Sequence, residues 1–374
     1  AAVAPPLLKI LGERNFMLYI QAPTRAGKST ALMLAASAVG SEKIVRSFDA
    51  TKNGLAGVAA DVSDYPLMID EKQAADGKLK DCLTDLVYLL VNGVSRTKLH
   101  RTSKVMDLSN WRTIVLANGE TQLLPDNATD GADTRLMTVA APDKILDADT
   151  CKLIRDIIKE NYGLIFPRVV DEILKYGSNT LRGIYADIVA AFAESKPKIL
   201  PEHRRYLAVL TLADALLNSA LGMNSVTLAD GRTLKAIDDA TLNANEIFAL
   251  IPTMDELSNA RKARDFVISF IAQNQNRFIG GNVVDAKIQQ FYGKLRDADG
   301  YTYIMAKTLR DACKADGWDY RKLVADLVAE GFFVPRDKLK KNRHTPTPTV
   351  PKNISEIKNA ECYRIPNEIF DAVD

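Results

Sequence analysis

The sequence is short of several things, and each shortage excludes a class of protein. No apolar run reaches the length of a bilayer span, so no membrane helix and no membrane partner is expected. The cysteines are few and far apart, at Cys82, Cys151, Cys313 and Cys362, with no pair at metal-ligand spacing. That argues against a zinc ribbon or a disulfide framework and for buried thiols in a reducing cytoplasm. Histidine is as scarce, at His100, His203 and His344, which leaves little for a zinc centre. Charge of one sign is missing too. With 49 Lys and Arg against 47 Asp and Glu the formal net charge is +2, so any nucleic-acid binding must come from local patches. No internal repeat is visible. The opening Ala1-Ala2-Val3 has neither a methionine nor a secretion leader, and the expectation is a fragment or processed chain of the cytoplasm. What is present is 374 residues, 47% apolar, enough to build two or three packed domains.

The octet Ala22-Pro23-Thr24-Arg25-Ala26-Gly27-Lys28-Ser29 lies between an apolar strand, Phe16-Met17-Leu18-Tyr19-Ile20, and a small-residue helical run that starts at Thr30. This is the layout of a P-loop. Backbone N–H groups wrap the β-phosphate, Lys28 reaches the β- and γ-phosphates, Ser29 holds Mg²⁺, and the helix dipole favours the anion. Ala22 stands where such loops carry their first glycine, so the octet alone is a degenerate match; the plainer alternative is an ordinary strand-turn-helix. Two further strands weaken that alternative. Tyr65-Pro66-Leu67-Met68-Ile69 runs into Asp70 and Glu71, a carboxylate for the Mg²⁺ shell followed by one that polarises the attacking water. Thr113-Ile114-Val115-Leu116-Ala117 ends in Asn118, an amide able to orient that water and sense the γ-phosphate without adding charge. Ligands of parallel α/β sheets bind at the carboxyl ends of strands, where all three features fall. An NTPase using ATP and Mg²⁺ is the expectation.

The strand candidates are Phe16–Gln21, Ile44–Phe48, Pro66–Ile69, Thr113–Ala117 and Leu136–Ala140, with helices expected over Lys28–Val39, Gly54–Val62 and Leu79–Val91. Together they predict a five-stranded parallel sheet covered on both sides over residues 1–143. Residues 144–224 read as a helical lid, with periodic runs at Lys152–Tyr162, Arg168–Tyr176, Leu181–Ser195 and Glu202–Leu221. Residues 225–253 are polar, carry the turn signal Ala229-Asp230-Gly231-Arg232, and read as an irregular connector. Residues 254–374 begin with a long helix, Met254–Asn276. Short amphipathic helices follow at Ala306–Lys314 and Tyr320–Glu330, and then two strands, Gly331–Pro335 and Glu361–Pro366, around a polar loop. Helix, helix, strand, loop, strand is the order of a winged helix.

As a set, certain segments resemble the MCM-like AAA+ helicases of mobile elements, in particular the staphylococcal cassette-chromosome helicases, a family formerly labelled a domain of unknown function. They are Ala26-Gly27-Lys28-Ser29-Thr30-Ala31-Leu32, Ala35-Ala36-Ser37, Asn53-Gly54-Leu55, Leu67-Met68-Ile69-Asp70-Glu71, Leu89-Leu90-Val91-Asn92-Gly93, Trp111-Arg112-Thr113 and Asn118-Gly119-Glu120. The departure is Ala22 in place of the family's glycine, expected to alter nucleotide affinity rather than abolish the site. The winged C-terminus resembles the same family on a weaker pattern. The resemblance implies an AAA+ core acting as a ring, a hexamer, with ATP between neighbouring subunits. One subunit would supply the loop, Asp70, Glu71 and Asn118; its neighbour would supply arginines that stabilise the transferred phosphoryl group. Arg135, in Asp133-Thr134-Arg135-Leu136, matches the finger position, and Arg204 or Arg205 the second sensor. A surface ion pair is the bland alternative for each.

Two basic segments remain. Gly93 to Lys104 carries Arg96, Lys98, His100, Arg101 and Lys104 between the carboxylates and the sensor strand. Helicases of this broad class place such a hairpin in the ring channel, where it tracks the phosphates of a single strand. Arg336 to His344 carries Lys338, Lys340, Lys341 and Arg343 in the proposed wing, which could hold duplex phosphates while Arg321 and Lys322 approach a groove. Solvated loops are the alternative for both. The reading that results is an ATP-driven DNA helicase or translocase for replication of a mobile element, with 3′→5′ polarity implied by the resemblance. An AAA+ machine that remodels or loads proteins on DNA, and a nucleotide-gated DNA-binding module, stay open beside it.

Overall fold

The computed structural model describes residues 1–70, 82–94, 110–128, 130–141, 143–223, 225–227, 233–281, 291–334 and 361–371. The chain divides into two compact units, Ala1–Met254 and Asp255–Asp374.

The first unit opens with helix α1 (Pro5–Leu11), strand β1 (Phe16–Gln21) and helix α2 (Lys28–Ser37). It continues with β2 (Arg46–Ser47), α3 (Lys52–Asp61), β3 (Leu67–Asp70), α4 (Leu83–Asn92), β4 (Ile114–Gly119), the single-turn α5 (Asp130–Asp133) and β5 (Leu136–Ala140). The five strands form one parallel sheet in the order β2-β3-β4-β1-β5. Side chains alternate across a strand. Phe16 therefore enters the core beneath α1, α2 and the lid, while Met17 and Tyr19 enter the core shared with α3 and α4. Strand β4 is buried along its whole length, which is why it reads as a continuous apolar run. The register sets Ile20 beside Asn118 and Gln21 beside Gly119, so the loop that follows β1 and the end of β4 lie at one edge.

Helices α6 (Ala148–Ile158), α7 (Ile165–Tyr176), α8 (Ser178–Ser195) and α9 (Pro201–Ala220) form the lid. Asp147 caps α6 by accepting the Thr150 N–H at 2.8 Å. The first unit departs from expectation in two places, the edge strand and the connector. The edge strand expected over 44–48 pairs only at Arg46 and Ser47, and a 3₁₀ turn, Glu42–Ile44, takes its start. Helix α4 is described from Leu83; Leu79, where it was expected to begin, lies outside the described residues. The supposed connector is not irregular. It holds an antiparallel pair, β6 (Ser225–Thr227) with β7 (Thr233–Lys235), and a full helix, α10 (Ala236–Phe248). Ala240, Ala244 and Phe248 bury one stripe of α10, and Phe248 meets Phe192 edge-on at 4.8 Å. Asp238, Asp239, Asn243 and Asn245 on the other faces masked a stripe made largely of alanine.

The second unit holds α11 (Asn259–Gln273), β8 (Phe278–Ile279), β9 (Gly293–Lys294), β10 (Tyr301–Met305), α12 (Ala306–Ala315), α13 (Tyr320–Ala329) and β11 (Cys362–Pro366). The long helix expected from Met254 is broken at Ser258, whose hydroxyl caps α11. Strand β10, overlooked in the sequence, pairs antiparallel with β11 from Tyr301↔Pro366 to Met305↔Cys362. Residues 331–334 form a turn rather than a strand, although Val334 N–H donates to the Arg364 carbonyl. Helix, strand, helix, helix, strand around Val267, Ile304, Leu309, Leu327 and Ile365 is a winged-helix arrangement. The helix–turn–helix bend turns at Gly317, φ +74°, and Asp319 caps α13.

Candidate nucleotide-binding site

The chain leaves β1 at Gln21 and enters α2 at Lys28, so the intervening loop sits at the carboxyl edge of the sheet. Ala22 N–H bonds to the Gly119 carbonyl at 3.1 Å, tying the loop to the end of β4. Arg25 and Gly27 take left-handed backbone conformations, φ +62° and +92°, which turn the chain into the helix. Ala22 is not among the positive-φ residues, so the position where phosphate loops usually carry their first glycine has ordinary backbone here. The Lys28 side chain, 9% exposed, curls back so that its ammonium donates to the carbonyls of Ala22 at 2.8 Å and Pro23 at 2.7 Å.

Asp70 ends β3 beside this loop. Its Oδ1 accepts from the Ser29 hydroxyl at 3.1 Å and from the Asn118 amide at 2.7 Å. Two residues predicted from separate strand ends, Ser29 and Asn118, thus converge on one oxygen of the third, Asp70. A hydroxyl and a carboxylate side by side suit Mg²⁺, a hard cation usually held by one or two carboxylates plus substrate phosphate and water. The Thr24 hydroxyl donates to Glu120 Oε1 at 2.5 Å, bracing the loop against the residue that follows β4. A cleft of about 220 Å³ opens here, lined by residues 25–30, Asn118, Glu120 and Arg155.

Glu120 and Arg155 were not singled out for a role in the sequence. Glu120 closes the segment Asn118-Gly119-Glu120, but only Asn118 of that segment carries an expected role. Arg155 lies on α6, 125 residues from its partner Thr30. No local pattern connects them.

The remaining candidates fall elsewhere. Arg135 stacks over the Tyr88 ring at 4.8 Å and donates to the Gly131 carbonyl at 2.5 Å. Arg204 donates to the carbonyls of Ala193 and Lys196 near the end of α8, at 3.3 and 3.2 Å. Arg205 grips buried Glu13 at 2.8 Å, and Glu13 also accepts the Tyr185 hydroxyl at 2.7 Å. None of the three lines the cleft of its own chain. The carbonyls just ahead of Arg135 are held from two sides. His203 Nε2 bonds Asp133 O at 2.9 Å, while Tyr206 and Arg14 donate to Thr134 O at 2.9 and 3.0 Å.

Glu71, expected from the sequence to polarise the attacking water, lies outside the described residues, as do Arg96, Lys98, His100, Arg101 and Lys104. Their segment is bracketed by an antiparallel bridge between Val94 and Asn110. In the second unit Arg321 and Lys322 sit exposed in the first turn of α13, while Lys338, Lys340, Lys341 and Arg343 lie outside the described residues. Among the described residues no helix is long and apolar enough to cross a membrane.

Residues 1–109 match the family described as a domain of unknown function (DUF927), and residues 258–367 match the Cch helix turn helix domain. No curated protein matches the chain. A solved structure titled "SCCmec type IV Cch - active helicase" superimposes with a TM-score of 0.69 at 21% identity, over 99% of this chain and 66% of that one. The present chain therefore spans just under two thirds of that protein's length, and at this identity the likeness is one of fold. A five-stranded parallel α/β core is followed by a helical bundle and a winged-helix arrangement, both terminal segments match families of their own, and the chain is similar in fold to the cassette-chromosome helicase.

Proposed function

We propose that this chain is the ATP-hydrolysing motor of a DNA helicase or translocase, working as a hexameric ring in the replication of a mobile element. The observation that carries the reading is the meeting of Ser29 and Asn118 on one oxygen of Asp70, with the Lys28 ammonium at the same loop. An ordinary strand-turn-helix has no reason to gather these groups. In the proposed reaction the loop N–H groups and Lys28 bind the phosphates, and Ser29 with Asp70 holds Mg²⁺, which neutralises charge on the phosphates when bound. Asn118 orients the attacking water, and Glu71, next in sequence to Asp70, accepts its proton. Arg135 and either Arg204 or Arg205, off the cleft of their own chain, serve the nucleotide of a neighbour. The fold shared with a chain titled an active helicase supports DNA as the partner, as does the match to a helix-turn-helix family. Arg96, Lys98, His100, Arg101 and Lys104 contact the single strand, and Arg321, Lys322 and the wing lysines contact duplex phosphates.

The test is steady-state ATP hydrolysis with and without single-stranded DNA, with Lys28→Ala as control, followed by unwinding of a forked duplex. Hydrolysis that single strands stimulate and Lys28→Ala abolishes is expected. Wild-type protein that fails to hydrolyse ATP, or hydrolyses no faster than Lys28→Ala, would overturn the reading. DNA-stimulated hydrolysis without unwinding would replace the helicase with a remodeller or loader.

A further inference from the structure

Arg155 projects from the lid helix α6 onto the first turn of α2. Both Nε and Nη2 donate to the Thr30 hydroxyl, at 3.3 and 3.0 Å. Its place is fixed by backbone rather than by chance. Just ahead of α6, the N–H groups of Ile145 and Leu146 both bond to the Ala26 carbonyl, at 2.8 and 3.1 Å. The lid helix thus springs directly from the phosphate loop, and Gly27 has no side chain to hold Leu146 off.

The partner of this guanidinium is unusual. Two charged donors share one neutral hydroxyl, and among the described residues no carboxylate forms an ion pair with Arg155. The adjacent Asp156 is taken up by Lys159 at 2.9 Å. A guanidinium carries five donors in a planar fork suited to two phosphate oxygens at once. Arg155 borders the cleft together with Arg25, Lys28 and Glu120, so a guanidinium with no ion-pair partner among the described residues lies at a cleft with three cations to one carboxylate, where an anion would sit.

We infer that Arg155 is a nucleotide-binding residue, a lid arginine acting on its own chain's nucleotide at the α- and β-phosphates. The inference rests on the nucleotide reading above and adds a residue to it. The position along the phosphates follows from helix geometry. Lys28 reaches the β- and γ-phosphates, whereas the N–H groups of the loop and first helical turn cradle the α and β groups. Thr30 lies on that first turn, beyond Ser29, and brings Arg155 to the end of the phosphate chain that hydrolysis leaves unchanged. A contact made equally to substrate and product strengthens binding of both and does not favour the transition state.

The test is direct titration of fluorescent ADP and of a non-hydrolysable fluorescent ATP analogue against wild-type protein, Arg155→Gln, Arg155→Lys and Lys28→Ala. Gln keeps an N–H for Thr30 and loses the charge, and Lys keeps the charge. Arg155→Gln should weaken both nucleotides by the same factor, about 10- to 100-fold, as expected for a lost hydrogen bond to a charged group. Arg155→Lys should recover most of that loss. The nucleotide-free melting temperature of Arg155→Gln should stay within about 2 °C of wild type.

Wild-type affinity in Arg155→Gln would overturn the inference, because the bond to Thr30 would then be all that the residue provides. A loss confined to the ATP analogue would also overturn it, by placing the guanidinium at the γ-phosphate. So would a loss that Lys fails to rescue and that comes with a lower melting temperature, the mark of a purely structural tie. If Lys28→Ala binds ADP as wild type does, the nucleotide reading itself fails. If only that control loses binding, this inference fails alone.

Discussion

Glycine is needed at one end of the phosphate loop and not at the other, and a reciprocal pair of substitutions measures the difference. Gly27 has φ +92°, and a Cβ built there would come within 2.8 Å of the Leu146 Cβ and 3.1 Å of its nitrogen. A side chain in a left-handed conformation costs roughly 1–2 kcal/mol, and overpacking a filled site about 1–3 kcal/mol. Gly27→Ala should therefore destabilise the first unit by about 2–5 kcal/mol. For a unit of this size that lowers the melting temperature by about 4–20 °C. Because Leu146 leads into α6, part of the strain should move the lid, and ADP affinity should fall with stability.

Ala22 behaves in the opposite way. It is 2% exposed, has ordinary backbone, and does not border the cleft. Ala22→Gly restores the usual motif yet relieves nothing. It removes a buried methyl, about 0.8 kcal/mol, and adds unfolded-chain entropy, about 0.4–1 kcal/mol. The expected outcome is a loss of about 1–2 kcal/mol and an ADP affinity within about threefold of wild type. Thermal unfolding, followed through the transition that ADP raises in the wild type, checks both. A Gly27→Ala protein melting within a degree or so of wild type, or an Ala22→Gly protein melting higher, would refute the reasoning.

Arg135→Ala should retain nucleotide binding and lose most turnover; mixed with Lys28→Ala, assemblies that pair an intact loop with an intact finger should regain activity. Hydrolysis by a strictly monomeric chain would exclude the ring. Replacing Arg96, Lys98 and Arg101 by Ala should leave basal hydrolysis and reduce its stimulation by DNA. The salt dependence of single-strand binding should also flatten, by about 0.7 in log–log slope per lost phosphate contact. An unchanged slope would move the DNA path elsewhere. Burial holds the His203 imidazole below its ordinary value of 6.5, so the unfolded chain takes up this proton more readily than the folded one. Stability should accordingly fall as pH drops below about 6.5, by up to about 1.4 kcal/mol per pH unit. Denaturant melts of His203→Gln, whose amide can still donate to Asp133 O, should lose that slope between about pH 5 and 6.5; a slope equal to wild type would assign the effect to other groups.

The parts of the site that the sequence made legible share one property, proximity to the end of an apolar strand. Lys28 and Ser29 follow β1, Asp70 ends β3, and Asn118 lies within β4 near its end, so strand order and sheet parallelism alone bring them together. Arg155 lacked that cue. Arg155 reaches Thr30 only because two backbone bonds to Ala26 start α6 at the loop, a tertiary fact with no local periodicity. The same limit explains α10 and β10. An alanine-rich stripe such as Ala240 and Ala244 carries little hydrophobic contrast, and a five-residue strand flush against a helix, Met305 to Ala306, offers no turn signal at its end.

Helix α9 shows how the parts left unread bear on function. It packs against α10, and through His203 and Tyr206 it holds the two carbonyls that precede Arg135. Arg14 holds the second of them from the N-terminal segment before β1. The lid and the segment that carries the candidate finger are therefore tied by side-chain bonds to backbone carbonyls within one chain. A change of lid position on nucleotide binding would strain the bonds beside Arg135 before it reached β5, where Met17 N–H takes the Arg135 carbonyl at 3.0 Å. Under the ring reading, nucleotide at one subunit's loop should then be coupled through α9 to the arginine proposed to serve the next, with His203 and Tyr206 as the residues whose replacement would weaken that coupling.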